Sequence, residues 1–203
     1  MKQYHRKPAG KLNLYKVSLK KIDHIPNSFP DTKNQQEIEI VKLFLNIASN
    51  NKILEYNKYE QNKEQDLDFT IISDKGKSLL ELTELMPSDN MKGGYNSISS
   101  EVNQQALVDR LIKIIEKKSQ KYIGIKMPID LLVYITNDNS NPSIGAERYL
   151  KNYFNTNKHV FRNIFFFVPM LSIKDGIIIQ YYPNNEDGKD IKPLGITLNF
   201  KPE

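Results

Sequence analysis

The chain has 203 residues, of which 39% are hydrophobic, and this composition predicts a single domain with a substantial core rather than disorder. It contains no cysteine, which excludes disulfide bonds and thiolate metal sites and fits a reducing cytoplasm. The N-terminus lacks the apolar run of a signal peptide, and the longest apolar run, residues 164–171, is too short to span a bilayer. We therefore expect a soluble, cytoplasmic protein.

The positive charge is concentrated near the N-terminus. The net charge is +5, yet residues 1–22 contain seven basic residues and no acidic one, which leaves the rest of the chain slightly negative. Tyr4 and Tyr15 lie among these basic residues, and basic segments with aromatic rings suit phosphate contacts and base stacking. A solvated tail is an equally good interpretation, and an acidic protein or lipid surface is a further alternative partner.

Hydrophobic periodicity predicts alternating helices and strands, with no internal repeat and no long linker. Two of the strands are nearly continuous apolar runs, which is typical of strands buried on both faces. The predicted elements are a helix over 34–50, a strand over 53–59, a hairpin over 66–85, a loop over 86–100, a helix over 101–122, a strand over 130–136, a helix over 143–154, a strand over 163–169, and a closing β-ribbon over 175–182 and 195–200.

The predicted hairpin contains the clearest chemical signal. Its arms, residues 66–71 and 79–85, alternate polar and apolar side chains, and residues 73–76 (Ser-Asp-Lys-Gly) have the composition of a turn. The pairing that such a turn implies places Asp68 opposite Glu81. Facing Cβ atoms on antiparallel strands lie about 5 Å apart, and two like charges in that arrangement are destabilising. We therefore expect a cation between the two carboxylates, most simply a divalent metal.

The order of elements, together with an acid on the second strand and another on the third, resembles the PD-(D/E)XK nuclease superfamily. Restriction endonucleases and many repair and phage-defence nucleases belong to it. The resemblance covers about residues 34–170 and implies an α/β (α+β) fold, with a restriction-endonuclease-like αβββαβ core and a mixed sheet flanked by helices. The C-terminal β-ribbon would be added to that core. Residues 1–33 would then be a basic arm, and residues 34–203 a single PD-(D/E)XK-like domain.

The same resemblance implies an activity. Asp68 and Glu81 would hold Mg²⁺ or Mn²⁺, and the chain would be a metal-dependent phosphodiesterase that acts on nucleic acid. We expect DNA before RNA as the substrate, and the sequence itself does not decide between the two. Restriction or phage defence would be its setting, and a homodimer or a partner subunit would be expected. Two alternatives remain open. One is a catalytically degenerate nuclease fold that binds nucleic acid or a protein partner, and the other is an unrelated α/β domain with a structural or interaction role.

The sequence departs from the family pattern at one position. The family has a lysine two residues after the glutamate, where this chain has Thr83. Some members supply that lysine from the following helix. Here Lys118 lies on the apolar stripe of the second predicted helix, Lys121 lies one turn further, and Lys117 points away. Lys118 is therefore the predicted catalytic lysine and Lys121 the second choice. A snorkelling edge residue is the structural alternative for Lys118.

Other candidates have weaker signals. Asp66 and Asp68 could both lie on a solvent-facing strand. Glu84 would be the inward acid if the strand presented its other face, because parity alone does not choose between faces. Glu37 shares a stripe with apolar residues of the first helix, and a charge that stabilises the helix N-terminus is the alternative. Gln104, or its neighbour Gln105, begins the second helix, where an amide could contact substrate.

Residues predicted to contact nucleic acid are basic and lie in the N-terminal arm or in the loop over 86–100. The predicted nucleic-acid contacts are Arg6, Lys7, Lys11, Lys20, Lys21 and Lys92.

None of the three histidines has metal-ligand spacing, and no Walker loop, Rossmann fingerprint or Gly-x-Ser-x-Gly elbow is present.

Overall fold

The computed structural model describes residues 12–17, 22–62, 67–86, 103–183 and 196–198. Within these ranges no helix is both long enough and apolar enough to cross a membrane. The helices are α1 (Lys33–Asn50), α2 (Gln104–Lys121) and α3 (Ile144–Thr156). The strands are β1 (Leu14–Val17), β2 (Ile22–Ile25), β3 (Lys58–Gln61), β4 (Phe69–Ser73), β5 (Gly76–Glu84), β6 (Ile129–Tyr134), β7 (Phe161–Met170), β8 (Asp175–Tyr182) and β9 (Ile196–Leu198).

A mixed six-stranded sheet forms the centre of the fold. Its strand order is β3-β4-β5-β6-β7-β8, in which β5, β6 and β7 are parallel and the outer pairs are antiparallel. Parallel neighbours require crossover connections, and α2 and α3 supply them between β5 and β6 and between β6 and β7. The predicted mixed sheet flanked by helices, and the αβββαβ order of its elements, are therefore confirmed.

The sheet separates two apolar clusters, one on each face. On the first face α1 buries Phe44 against Phe165 and Phe167 of β7. On the second face α2 and α3 bury Leu111 and Leu150 in a cluster that includes other residues of β6 and β7. The central strand β6 is buried at every residue, as its apolar run predicts.

Each helix begins at a side chain that caps its first turn. Thr32, Asn103 and Ser143 accept hydrogen bonds from the backbone N–H groups three residues later, and such caps satisfy donors that have no partner within the helix. The predicted helices over 34–50 and 143–154 are confirmed to within two residues. The predicted helix over 101–122 is confirmed from Gln104 onward, and its first residues lie outside the described part of the chain.

The hairpin of β4 and β5 has the predicted register. Phe69 pairs with Leu80, and Ser73 pairs with Gly76 across a turn at Asp74 and Lys75. Gly76 has a φ of +113°, in the left-handed region that favours glycine, so the turn composition read from the sequence has a physical basis.

The predicted strand over 53–59 is mostly wrong. The backbone N–H groups of Ile53 and Leu54 both bond to the carbonyl of Ala48, at 2.8 and 3.4 Å, so these residues fold back over the end of α1. Both side chains then pack against the cluster under α1. The strand begins only at Lys58, because the preceding apolar residues belong to the helix end rather than to the sheet.

The predicted C-terminal β-ribbon is also wrong. Strand β8 pairs with β7 at the edge of the six-stranded sheet, whereas β9 pairs with β1 in a separate sheet of order β2-β1-β9. Alternation of polar and apolar residues indicates a strand but does not identify the strand with which it pairs. The partner of β9 lies near the other end of the chain.

The basic arm predicted for residues 1–33 contains folded structure. Strands β1 and β2 form an antiparallel hairpin, and Leu12 and Leu14 are buried in the cluster under α2 and α3. The backbone N–H of Asn13 lies 3.0 and 3.2 Å from the two carboxylate oxygens of Asp138, which fastens the hairpin to the loop after β6. The described part of the arm therefore packs on the domain.

Candidate active site

Asp68 and Glu81 lie side by side on the sheet. Asp68 immediately precedes β4, and the register of the hairpin, continued by one residue, brings it opposite Glu81 of β5. Leu79 and Leu85 of the same chain segment belong to the cluster under α2 and α3, so the period of two places Glu81 on that face as well. Glu81 is only 6% exposed, which excludes a solvent-facing position for it.

The environment of Asp68 disfavours its charge. Its Oδ2 atom accepts a hydrogen bond from the backbone N–H of Leu82 at 2.7 Å. Burial, followed by repulsion from Glu81, nevertheless raises the pKa of Asp68 from 3.8 to about 6, and repulsion from Glu37 contributes in the same direction. A cation bound at this point would relieve the repulsion between Asp68 and Glu81.

Lys118 reaches this pair from α2. Its ammonium donates a hydrogen bond to Oε1 of Glu81 and lies 3.4 Å from the carbonyl oxygen of Leu82. The side chain is 22% exposed, and Leu111 and Ile115 on the same stripe of α2 are buried. The stripe thus brings Lys118 to Glu81, while Lys117 is exposed. The catalytic role of Lys118 stays a prediction.

Tyr122, directly after α2, is a member of the site that sequence reasoning missed. It is 4% exposed, and burial, followed by the nearby Glu81 carboxylate, raises the pKa of its hydroxyl. Lys121 does not join Glu81 directly, because its ammonium donates to the Tyr122 hydroxyl at 3.3 Å. The sequence signal was present, since a tyrosine on a buried stripe needs a partner for its hydroxyl.

Two other acids predicted from the sequence, Glu84 and Glu37, lie around this centre rather than in it. Glu84 is on the opposite face of β5 from Glu81, where its Oε1 accepts a hydrogen bond from the Thr136 hydroxyl at 2.5 Å. Glu37 forms an ion pair with Lys33 at 3.3 Å, one turn earlier in α1, and acts on Asp68 through its charge. Thr83 follows on the same face of β5 as Glu81.

Gln104 serves the packing of two helices. Its Oε1 accepts a hydrogen bond from the backbone N–H of Ser143 at 2.8 Å, and its Nε2 lies 3.4 Å from the carbonyl of Asn141. These bonds hold the start of α3. Gln104 begins α2 and Lys118 lies in its last turn, so about 20 Å of helix separates them. The structure therefore does not bring Gln104 to the site. Gln105 bonds to Asp109.

Several predicted residues lie outside the described part of the chain, as does most of the loop predicted over 86–100. They are Asp66, Arg6, Lys7, Lys11, Lys20, Lys21 and Lys92.

The donor atoms at the site suit a hard divalent cation. In the part of the chain that the structure describes, no group of three or more His, Cys, Asp or Glu residues could hold a metal. Asp68 and Glu81 nevertheless offer two carboxylates. Leu82, the residue after Glu81, donates its backbone N–H to Asp68, and its carbonyl oxygen lies 3.4 Å from the Lys118 ammonium that bonds to Glu81. Mg²⁺ is commonly held by one or two carboxylates, keeps several waters and binds substrate phosphates. Two carboxylates and a carbonyl therefore fit Mg²⁺ or Mn²⁺.

A second buried carboxylate, Asp130 of β6, has a different environment. Arg162 donates to both of its oxygens, at 3.0 and 2.5 Å, and Asn163 donates at 2.7 Å. Asp130 is in register with Leu80, which packs on the α1 side, so it lies on the opposite face from Glu81. Because its charge is neutralised and its oxygens are bonded, Asp130 acts as a structural anchor.

Comparison with known proteins identifies no family. No protein-family model and no curated protein matches the sequence. A solved structure with some similarity is that of Pyrococcus furiosus SfsA in complex with Ca²⁺, at 16% identity and a TM-score of 0.29, over 84% of this chain and 75% of that one. At this TM-score the likeness carries no argument about function.

Proposed function

We propose that this chain is a divalent-metal-dependent phosphodiesterase that cleaves nucleic acid, as a divergent member of the PD-(D/E)XK superfamily. The observation that carries this proposal is the contact of Lys118 with Glu81 beside Asp68. The αβββαβ order supports it, because β4 and β5 are the second and third strands of that order and Asp68 and Glu81 are the acids associated with them.

Each residue has a chemical role in this proposal. Asp68 and Glu81 would hold Mg²⁺ or Mn²⁺, with the Leu82 carbonyl as a further oxygen donor. A bound cation supplies Lewis acidity, which polarises the phosphodiester and lowers the pKa of a coordinated water. Lys118 contributes a fixed positive charge that stabilises the developing negative charge of the pentavalent phosphorus, or orients the attacking water.

The source of the lysine has a geometric explanation. A lysine at position 83 would project from the same face of β5 as Glu81, since the two positions are separated by one strand period. Lys118 approaches that face from α2, and its ammonium bonds to Glu81 and lies beside the Leu82 carbonyl. We propose that Lys118 fills the role that Thr83 cannot perform.

The substrate is proposed from charge. The basic residues of the N-terminal arm and Lys92 would contact phosphates, which hold a nucleic-acid backbone without reading its sequence. Restriction endonucleases, which the order of elements resembles, act on DNA, so DNA is proposed before RNA and restriction or phage defence is the proposed setting. A homodimer would provide one site for each strand of a duplex.

A second candidate function is nucleic-acid binding without catalysis. It is favoured by Thr83, which lacks the family's ammonium group, and by the ion pair in which Lys118 already neutralises Glu81. In that function Lys118 would be a permanent structural partner of Glu81, and the site would take no metal.

A cleavage assay separates the two. Labelled single- and double-stranded DNA and RNA would be incubated with wild type, Glu81→Ala and Lys118→Ala in Mg²⁺, Mn²⁺ or EDTA. Lys117→Ala is the matched control, because it removes the same charge from the exposed neighbouring residue. We expect metal-dependent cleavage by wild type and Lys117→Ala, with losses of about 100-fold or more in the other two variants. Salt-sensitive binding without cleavage by wild type would favour the second function.

A further inference from the structure

Asp68 lies where the regular strand ends, so the pairing of strands alone does not fix its position. Strand β4 begins at Phe69, and its pairing with β3 ends at Phe69 and Gln61. Leu67 is buried in the cluster under α2 and α3, whereas Phe69 is buried in the cluster under α1. Residues two apart in a regular strand share one face, so the strand period breaks between Leu67 and Phe69. Glu81, in contrast, lies within β5, which pairs with both β4 and β6.

Asn62, directly after β3, makes three hydrogen bonds to the chain around Asp68. Its backbone N–H donates to the carbonyl oxygen of Asp68 at 2.9 Å, which extends the pairing of β3 with β4 by one residue. Its side-chain Nδ2 donates to the carbonyl oxygen of Leu67 at 2.6 Å, and its Oδ1 accepts from the Thr70 hydroxyl at 2.8 Å. Asn62 is therefore bonded to Asp68 itself and to a residue on either side of it.

We infer that Asn62 is a positioning residue, which holds the backbone at Asp68 so that the Asp68 and Glu81 carboxylates can share a divalent cation. This inference rests on the proposed metal site. Groups that hold a metal ligand fix the direction of its donor atoms, and their loss typically costs about 10–100-fold in metal affinity. The Leu82 N–H holds one carboxylate oxygen of Asp68, at 2.7 Å, but it does not hold the backbone that carries the carboxylate.

The alternative is that Asn62 only stabilises the sheet. Asn57, just before β3, is a matched control because it is bonded in a similar way at the other end of the strand. Its backbone N–H donates to the carbonyl oxygen of Ile72 at 2.8 Å, and its Nδ2 donates to the carboxylate of Asp74 at 2.6 Å. Asn57→Ala therefore removes the same side chain from the same pair of strands, about 16 Å further along β3.

The test is Mn²⁺ binding to the full chain without nucleic acid, measured by electron paramagnetic resonance of the free ion. We expect wild type and Asn57→Ala to bind equally, Asn62→Ala to bind about 10-fold more weakly, and Asp68→Asn to bind least. Thr70→Val keeps a branched side chain and removes the hydroxyl that bonds to Asn62, so its affinity should lie between those of wild type and Asn62→Ala. Thermal unfolding in EDTA would verify that each variant folds.

The outcomes are separable from those of the proposed function. Weakened Mn²⁺ binding in Asn62→Ala, beside wild-type affinity in Asn57→Ala, supports the inference even if wild type cleaves no nucleic acid, in which case the nuclease proposal alone fails. Wild-type affinity in Asn62→Ala, beside lost affinity in Asp68→Asn, would overturn it, and so would an equal loss in Asn57→Ala. If Asn62→Ala does not fold, weakened binding in Thr70→Val supports the inference and wild-type affinity overturns it. Absence of Mn²⁺ binding by wild type would overturn it together with the metal site.

Discussion

Asp68 is the residue at the site whose protonation state changes near neutral pH. Burial and the charge of Glu81 raise its pKa to about 6, while the hydrogen bond from the Leu82 N–H works in the opposite direction. A carboxylate must be ionised to bind a hard cation, so protons and cation compete for Asp68.

Cleavage is therefore expected to increase with pH. Below about pH 6 Asp68 is protonated and binds the cation poorly, so the single-turnover rate at limiting Mg²⁺ should rise about tenfold per pH unit and level off above the pKa. The midpoint should move to lower pH as the Mg²⁺ concentration is raised. A rate that is constant from pH 5 to 7 at limiting Mg²⁺ would contradict this account.

The same pKa predicts that Asp68 destabilises the metal-free fold at neutral pH. Because the pKa is higher in the folded state, the stability linked to this group is present below about pH 4 and is lost as pH rises through about 6. The whole pKa shift of Asp68 corresponds to about 3 kcal/mol in the free energy of unfolding. Partial solvation of the carboxylate reduces the expected destabilisation to about 1–2 kcal/mol.

Asp68→Asn should remove the destabilisation that the charge of Asp68 causes at neutral pH, while keeping an acceptor for the Leu82 N–H. In urea unfolding with EDTA we expect the variant to be about 1–2 kcal/mol more stable than wild type at pH 7.5 and equally stable near pH 4. An asparagine variant that is less stable at pH 7.5 would show that the charge of Asp68 is favourably compensated.

At the residue scale, side-chain positions could be predicted from the sequence where the regular period of a strand or helix determines which way a side chain projects. The period of the strands placed Asp68 against Glu81, and the stripe of the helix brought Lys118 to Glu81. Sequence reasoning missed Tyr122 as a neighbour of Glu81, because a tyrosine at the end of an apolar stripe has the same pattern whether its hydroxyl lies near a carboxylate or near water. It did not reveal the partners of Gln104, which lie far along the chain, and contact of Gln104 with substrate stays a prediction.

At the scale of elements, the β4–β5 hairpin determines the site, because its register decides which residue Asp68 faces. A slip by one residue would turn the side chains of one strand to the other face. The turn that sets this register depends on Gly76, whose φ of +113° strains any residue with a Cβ. No atom lies within 4 Å of a Cβ added there, so the strain is purely conformational.

Gly76→Ala is therefore expected to destabilise the fold by about 1–2 kcal/mol in urea unfolding. Gly145→Ala is the matched control, because Gly145 is in α3, where the new Cβ would meet only Ser143 Oγ at 4.0 Å. That variant should be unchanged or slightly more stable. Equal effects of the two substitutions would refute the assigned role of the turn.

The strengths and failures of element prediction have one physical cause. Helices and buried strands were found because their periods are local properties of the sequence. The strand over 53–59 was misplaced because the backbone of Ile53 and Leu54 bonds to the end of α1. The ribbon was mispaired because β9 pairs with β1, near the opposite end of the chain. Neither of these tertiary contacts alters the local pattern of polar and apolar residues.

At the scale of the whole molecule, the site is assembled by the crossover from β5 to β6. These two strands are parallel, so α2 must pack on one face of the sheet to connect them. Its last turn then lies over β5, where Lys118 bonds to Glu81. This part of the arrangement could be predicted from the sequence, whereas the burial of Leu12 and Leu14 from the N-terminal hairpin could not.

The central claim is that α2 supplies the catalytic lysine that position 83 lacks, and moving the lysine tests it most directly. Metal-dependent DNA cleavage would be measured for wild type, Lys118→Ala, Thr83→Lys and the double variant with both substitutions. We predict that Lys118→Ala loses about 100-fold or more in rate and that the double variant recovers a substantial part of it, because position 83 lies on the face of Glu81. Cleavage by Lys118→Ala at the wild-type rate would contradict the account.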